Sequence, residues 1–182
     1  MSAPYISKSK YLVGLQCPKL LWTHYNDKAS IPGADASTQA LFDQGQEVGR
    51  LAQGLFAGGA EVAWDAGLTA ALQRSQELLP LRRPIYEATF AAKGVLARAD
   101  ILNPVADGRW DIVEVKCGTQ VKPVNYDDLA VQRYCYEEAG VPIRACHLLH
   151  INRQYVRRGP VDADALLIGE DLTDAVAAGL PS

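Results

Sequence analysis

Residues 95–116 read VLARADILNPVADGRWDIVEVK, two apolar runs joined through Asp107-Gly108. Each run is short and rich in strand-forming residues, and Asp-Gly between such runs is a turn signal, so the stretch predicts an antiparallel β-hairpin. In an extended strand successive side chains point to opposite faces. Glu114 and Lys116 therefore lie side by side, while Val113 and Val115 point into the other layer. Antiparallel pairing brings Asp100, which closes the first run, opposite the Glu114 end of the second. Two carboxylates and one ammonium then converge.

Phosphodiester hydrolysis needs these residue types. A hard cation has to bind a phosphate oxygen and acidify a water, and oxygen ligands such as Asp100 and Glu114 suit Mg²⁺ or Mn²⁺. Lys116 beside them can hold the attacking hydroxide or offset charge on the phosphate, and desolvation among valines is expected to lower its pKa. A Glu-x-Lys pair arises by chance about once in a chain this long, usually on a solvated strand face. Weight comes from the elements around it.

Upstream, PIYEATF (84–90) reads as a strand with Ile85, Glu87 and Thr89 on one face and Tyr86, Ala88 and Phe90 on the other, making Glu87 a third candidate carboxylate. Downstream, residues 126–139 read as a helix with Asn125 as N-cap and Gly140 as terminator. Gln132 and Tyr136 share one face of it. Next, IRACHLLHIN (143–152) reads as a strand, parallel to the WDIVEVK strand if the helix is the crossover. His147 and His150 fall on opposite faces of it, without metal-ligand spacing.

Glu87, GVLARAD ending at Asp100, DIVEVK ending at Lys116, and Gln132-Arg-Tyr-Cys-Tyr136 together resemble the PD-(D/E)XK nuclease superfamily, within it the RecB-like exonuclease branch. The N-terminal SKSKYLVGLQCPKLLW and the FDQGQEVGRLA helix are similar to a bacterial family of RecB-like nucleases related to the CRISPR-associated adaptation exonucleases. The resemblance implies a restriction-endonuclease-like α/β fold, a three-layer core with a mixed sheet flanked by helices, and an N-terminal helical portion. It further implies metal ligation by Asp100 and Glu114, with Glu87 at the acidic position of the preceding strand. Lys116 would be the catalytic lysine, and Gln132 and Tyr136 the helical Q-x-x-x-Y motif that positions substrate.

The chain departs from the family at one ligand. RecB-like nucleases usually carry a metal-binding histidine at the end of a G-x-x-x-H pattern, and alignment on Gly45 puts Gly49 there. Glu47 and His24 are the candidates to replace it, against ordinary roles as a solvated helix charge and a helix-end residue. QCPKLLW also looks like the first-cysteine segment of iron–sulfur members of the branch. No cysteine follows Cys146, however, and the four cysteines lack C-x-x-C spacing, so neither a cluster, a zinc site nor a disulfide framework is expected.

At 182 residues and 48% hydrophobic, the chain suffices for one core. Residues 1–182 are read as a single domain, with a mainly helical portion (1–80), a catalytic core (81–158) and a C-terminal helix or tail (159–182). Helices are expected over 8–25, 40–56, 69–79 and 164–177, the second with Leu41, Val48, Leu51 and Leu55 as its apolar stripe. The end after the last helix leaves room for a further domain or protein partner. No apolar run approaches the ~18 residues of a membrane span and no signal peptide is visible, so no membrane partner and a cytoplasmic location are expected.

The net charge of −3 counts against nucleic-acid binding, but acidic residues gather near the end (Asp162, Asp164, Glu170, Asp171, Asp174). Basic residues flank the core: Arg82, Arg83, Lys93, Arg98, Lys122, Arg133, Arg153, Arg157 and Arg158. Arg98, Lys122 and Arg133 are the expected nucleic-acid contacts. No Gly-rich phosphate loop supports a nucleotide-binding enzyme. The sequence thus points to an Mg²⁺- or Mn²⁺-dependent deoxyribonuclease, expected to be an exonuclease acting on single- or double-stranded DNA in repair, recombination or defence. The alternative is a catalytically silent nucleic-acid-binding or adaptor domain that keeps the nuclease fold.

Overall fold

The computed structural model describes residues 5–33 and 35–180. Its centre is the expected hairpin, β4 (Val95–Pro104) against β5 (Trp110–Lys116), with Ile101 opposite Val113 and Leu102 opposite Ile112. The turn closes where Gly108 adopts φ 86°, a conformation that costs glycine little. Arg82 holds this turn from outside, donating to the carbonyls of Val105, Gly108 and Arg109 and stacking 4.3 Å over the Trp110 ring. That assigns Arg82 to the hairpin tip.

The hairpin sits inside a seven-stranded mixed sheet whose order is β2 (Ala60–Glu61), β3 (Ile85–Ala92), β4, β5, β6 (Ile143–Ile151) and β7 (Leu167–Asp171), with β1 (Ile6–Ser7) paired parallel to the start of β4. β3 is antiparallel to β4, and β2 runs parallel to β3. β6 is parallel to β5, as a crossover through α5 (Pro123–Glu138) requires. Helices cover both faces. On one, α4 (Gly67–Leu78), α5 and α7 (Thr173–Ala178) bury Ala71, Leu78, Leu129, Tyr136 and Val176 against Phe90, Ile112 and Leu148. On the other, α3 (Ala36–Gly54) and α6 (Ala163–Leu166) lie over Ile101, Val113, Leu149 and Leu167. The fold is the expected three-layer α/β core. Among the described residues no helix is long and apolar enough to cross a membrane.

Several elements differ from expectation, each for a physical reason. The first helix is two, α1 (Lys8–Gln16) and α2 (Pro18–Asn26), because Pro18 has no N–H for the helical ladder and holds Cys17 extended at φ −157°. α5 begins at Pro123, whose fixed φ suits a first turn. Asn125 is therefore inside the helix, its Oδ1 accepting the Lys122 N–H at 2.8 Å, and is not the N-cap. Gly140, with φ 85°, does end it. The expected 164–177 helix is split by β7 (Leu167–Asp171), which pairs antiparallel with β6 and covers an edge that would otherwise expose unpaired backbone. In α3 Val48 and Ala52 carry the buried stripe, whereas Leu41 is 59% exposed.

The alternation expected for β3 breaks at Glu87. Ile85 packs with Ala88 and Phe90 on the α4/α5 side and Tyr86 on the α3 side, so the strand changes phase between Tyr86 and Ala88. Glu87 absorbs the change with φ 57°, a strained value for a non-glycine residue. β4 changes phase on the same rung, since Ala97 and Ala99 pack on the α4/α5 side and Ile101 on the other. The rung falls between the pairs Tyr86–Ile101 and Ala88–Ala99, so Glu87 faces Asp100.

Candidate functional site

Asp100 lies within β4, one residue beyond the Ile101–Val113 pair and hence opposite Glu114. Here its carboxylate takes over from the backbone ladder, Oδ2 accepting the Val115 N–H at 2.7 Å. Glu114 and Lys116 point together toward α5, as their spacing predicts. Lys116 Nζ is 2.6 Å from Glu114 Oε1 and 2.8 Å from Asp128 Oδ2. Gln132 Nε2 donates to Glu114 Oε2 at 2.8 Å and to Asp128 Oδ1 at 3.0 Å. Gln132 Oε1 is buried and has no hydrogen-bond partner among the described residues.

Two members of this cluster were absent from the expected set. Asp128, one turn before Gln132 on α5, is only 2% exposed and ion-pairs with Lys116 and Lys8. The signal was available: residues 128, 132 and 136 form one i, i+4 ladder. Lys8 carried no such signal. It starts α1, and its Nζ reaches Glu114 across 106 positions of sequence, 3.0 Å from each carboxylate oxygen.

The electrostatics follow from burial and company. Burial and the neighbouring Glu114 charge push Asp100 up to about 7. For Glu114 burial acts upward too, but Lys8 and Lys116 outweigh it and hold the carboxyl at about 2. Lys116 does not follow the expected fall. Desolvation would lower it, yet Glu114 and Asp128 prevail and raise it, so the ammonium stays charged and can act only as a cation. Asp128 is raised by burial and Glu114.

A cleft of about 1010 Å³ opens between α3 and this end of the sheet, lined among others by Glu61, Glu87, Arg98, Asp100, Glu114 and Lys116. α3 is fixed over it at its C-terminal end, where the Tyr86 hydroxyl donates to the Phe56 carbonyl at 2.6 Å, while Leu41 and Phe42 line the cleft from the free end. Gly45 and Gly49 face the same space, and a Cβ on Gly49 would meet nothing within 4 Å. Glu47 is exposed on α3 outside the lining, and His24 receives Lys10 Nζ at 2.6 Å on the α1–α2 hairpin, so neither borders the cleft where Gly49 lies.

Other expected residues are placed differently. Tyr136 is buried away from the cleft. Its hydroxyl donates to the Ala88 carbonyl and accepts the Ala99 N–H at 3.0 Å, clipping β3 to β4 beside the irregular rung, and its ring lies 4.8 Å from Phe90. Tyr136→Phe strands both backbone groups and is expected to cost about 2–4 kcal/mol of stability, lowering the melting temperature by several degrees in calorimetry. An unchanged melting temperature would show that the clip is dispensable. Arg98 does line the cleft, 2.9 Å from Glu87 and stacked 5.4 Å from Trp64. Arg133 bonds Glu137 on its own helix at 3.0 Å, and Lys122 is exposed at the start of α5; neither lines the cleft. His150 is buried with Glu170 at 3.0 Å, and His147 lies 3.8 Å from Asp111.

Asp100 and Glu114 are oxygen donors of the kind hard divalent cations take, and the raised Asp100 carboxyl marks a charge the protein leaves under-compensated. Two carboxylates suffice for Mg²⁺, which commonly keeps several waters. Among the described residues no group of three or more His, Cys, Asp or Glu is arranged to hold a metal. The donor set fits a weakly held hard cation.

Fold and site together define a three-layer α/β protein with a carboxylate–lysine cluster at the floor of an open cleft. No family model matches the chain, and no curated protein matches it. Among the solved structures that match is one described as "Crystal structure of SSO0001", with TM-score 0.46 and 9% identity over 98% of this chain and 73% of that chain. A likeness of that size carries no functional argument.

Proposed function

We propose that this chain is a cytoplasmic, Mg²⁺- or Mn²⁺-dependent nuclease that hydrolyses phosphodiester bonds in DNA, in repair, recombination or defence. The supporting observation is the convergence of Asp100, Glu114 and Lys116, with Gln132 behind them, on one side of an open cleft. Asp100 and Glu114 would hold the cation, which when bound lowers the pKa of a water and polarises the phosphate. Lys116, kept charged by Glu114 and Asp128, opposes the negative charge that grows on the phosphate. Gln132 orients the Glu114 carboxylate through its 2.8 Å bond, a positioning role. Glu87 is the remaining carboxylate on offer, and its partner Arg98 is placed to meet a phosphate oxygen. The test is release of acid-soluble nucleotides from single- and double-stranded DNA with Mg²⁺ or Mn²⁺ and with chelator. Metal-independent release, or none from either substrate, counts against the reading.

Gly49→His adds an imidazole to open space on the helix facing the carboxylates. Metal affinity measured by calorimetry is expected to rise about tenfold, equivalent to about 1.4 kcal/mol. A variant that folds but binds metal no better would show that α3 stands too far from the cation.

A second reading, a silent nucleic-acid-binding or adaptor domain, is favoured by one observation. Lys8 already covers both oxygens of Glu114. The nuclease assay separates the two readings, because a silent domain binds DNA without releasing nucleotides.

A further inference from the structure

Lys8 enters the cluster from α1, outside the sheet and outside α5. Its ammonium straddles Glu114 at 3.0 Å from each oxygen and lies 3.2 Å from Asp128 Oδ1. Lys116 adds a donor to Oε1 and Gln132 one to Oε2, so both Glu114 oxygens are committed to protein groups. Asp100 is different: one oxygen takes the Val115 N–H, and the other has no donor among the described residues. A cation about 2.1 Å from either Glu114 oxygen would stand within about 5 Å of the Lys8 ammonium, which is 3.0 Å from both. Two positive charges at that separation repel each other.

We propose that Lys8 is the resident counter-cation of Glu114, and that a divalent cation enters the Asp100–Glu114 pair by displacing the Lys8 ammonium from it. This rests on the metal-dependent reading above. Local charge agrees. With all four carboxylates ionised, as a bound cation would require, Glu87, Asp100, Glu114 and Asp128 face Lys8, Lys116 and Arg98, which leaves one negative charge over. Exchanging Lys8 for a divalent cation closes the balance, whereas adding the cation and keeping Lys8 overshoots it. The exchange is sterically simple. Lys8 is the first residue of α1, its side chain is 18% exposed, and it already borders a depression of about 310 Å³ lined by Ser7, Trp64, Leu96 and Arg98. The ammonium can leave by side-chain rotation with α1 intact, and Trp64 offers it an aromatic face. Lys116 is not the group exchanged, because it is bonded to only one Glu114 oxygen and holds Asp128 more closely, at 2.8 Å against 3.2 Å for Lys8.

The test uses wild-type protein and Mn²⁺, with binding followed by calorimetry. Amine-reactive labelling read by mass spectrometry is expected to modify Lys8 at least fivefold faster with Mn²⁺ bound, relative to exposed Lys19 as internal standard. An unchanged or slower rate with bound Mn²⁺ overturns the proposal. Lys8→Met should bind Mn²⁺ at least tenfold tighter than wild type, and Lys8→Arg no tighter. Equal or weaker binding by a folded Lys8→Met, or no binding by either protein at millimolar Mn²⁺, overturns it too. If Lys8→Met does not fold, the wild-type labelling decides. Hydrolysis is not among these readouts, so failure to cleave DNA counts against the nuclease reading alone.

Discussion

Lys116→Met is expected to lower the rate of DNA hydrolysis by about two to three orders of magnitude while leaving metal binding in place. The ammonium lies on the cleft side of the Glu114–Asp128 pair, and those carboxylates keep it protonated. Its contribution is a fixed positive charge aimed at the phosphate, and removing one such preorganised stabiliser typically costs about 10²–10³ in rate. An ammonium cannot ligate a cation, so metal affinity should not fall. Asp100→Asn differs in metal binding, with loss of both metal affinity and hydrolysis. Single-turnover cleavage and calorimetry on the same preparations separate the two. Wild-type rates in Lys116→Met would sink the proposed mechanism.

Glu114→Ala is expected to do more than abolish activity. Its carboxylate is 2% exposed and neutralises two lysines that are 18% and 35% exposed. Removing one partner of a buried ionic network typically costs about 3–5 kcal/mol, so the variant should melt roughly ten degrees or more below wild type. Glu114→Gln, which keeps the shape and an acceptor, should lose less stability but equally lose metal affinity. Asp100→Asn behaves differently. The Asp100 carboxyl is raised from 3.8 to about 7, so its contribution to stability is complete below about pH 4 and is lost as pH rises through 7. Glu114, lowered from 4.5 to about 2, contributes above pH 4.5 and is lost as pH falls toward 2. Metal-free protein should therefore be most stable at about pH 4, where the two windows meet. Asp100→Asn, which can still accept the Val115 N–H, should gain on wild type at pH 8, measured by denaturant unfolding in chelator. A variant destabilised at pH 8 would show that the buried charge is compensated by something else.

The hairpin was legible because its determinants are local. Alternation along WDIVEVK sets the shared face of Glu114 and Lys116, and Asp107-Gly108 supplies the turn that sets Asp100 against them. The parallel pairing of β6 was legible for a similar reason, since a helix between two strands of one sheet is a crossover. Pro18 was legible in principle too, because a proline inside a helical pattern is a stop signal that acts on its immediate neighbour. Periodicity names the face of an element and not what lies across from it. That limit explains Glu87, whose strand pattern gave no warning of the φ 57° phase change it shares with the Asp100 rung. It also explains Tyr136, whose face was read correctly but whose hydroxyl was taken up by the backbone of Ala88 and Ala99. Gly49 faces open cleft only because Val48 and Ala52 pack α3 onto the sheet at that rotation. Sequence by itself determined the three-layer architecture and the pairing of Asp100, Glu114 and Lys116. The i, i+4 ladder through Gln132 also placed Asp128 within reach, but tertiary structure alone decided that Lys8 joins them, because an ion pair spanning 106 residues depends on how α1 docks against α5 and β4, and local periodicity carries no trace of that docking.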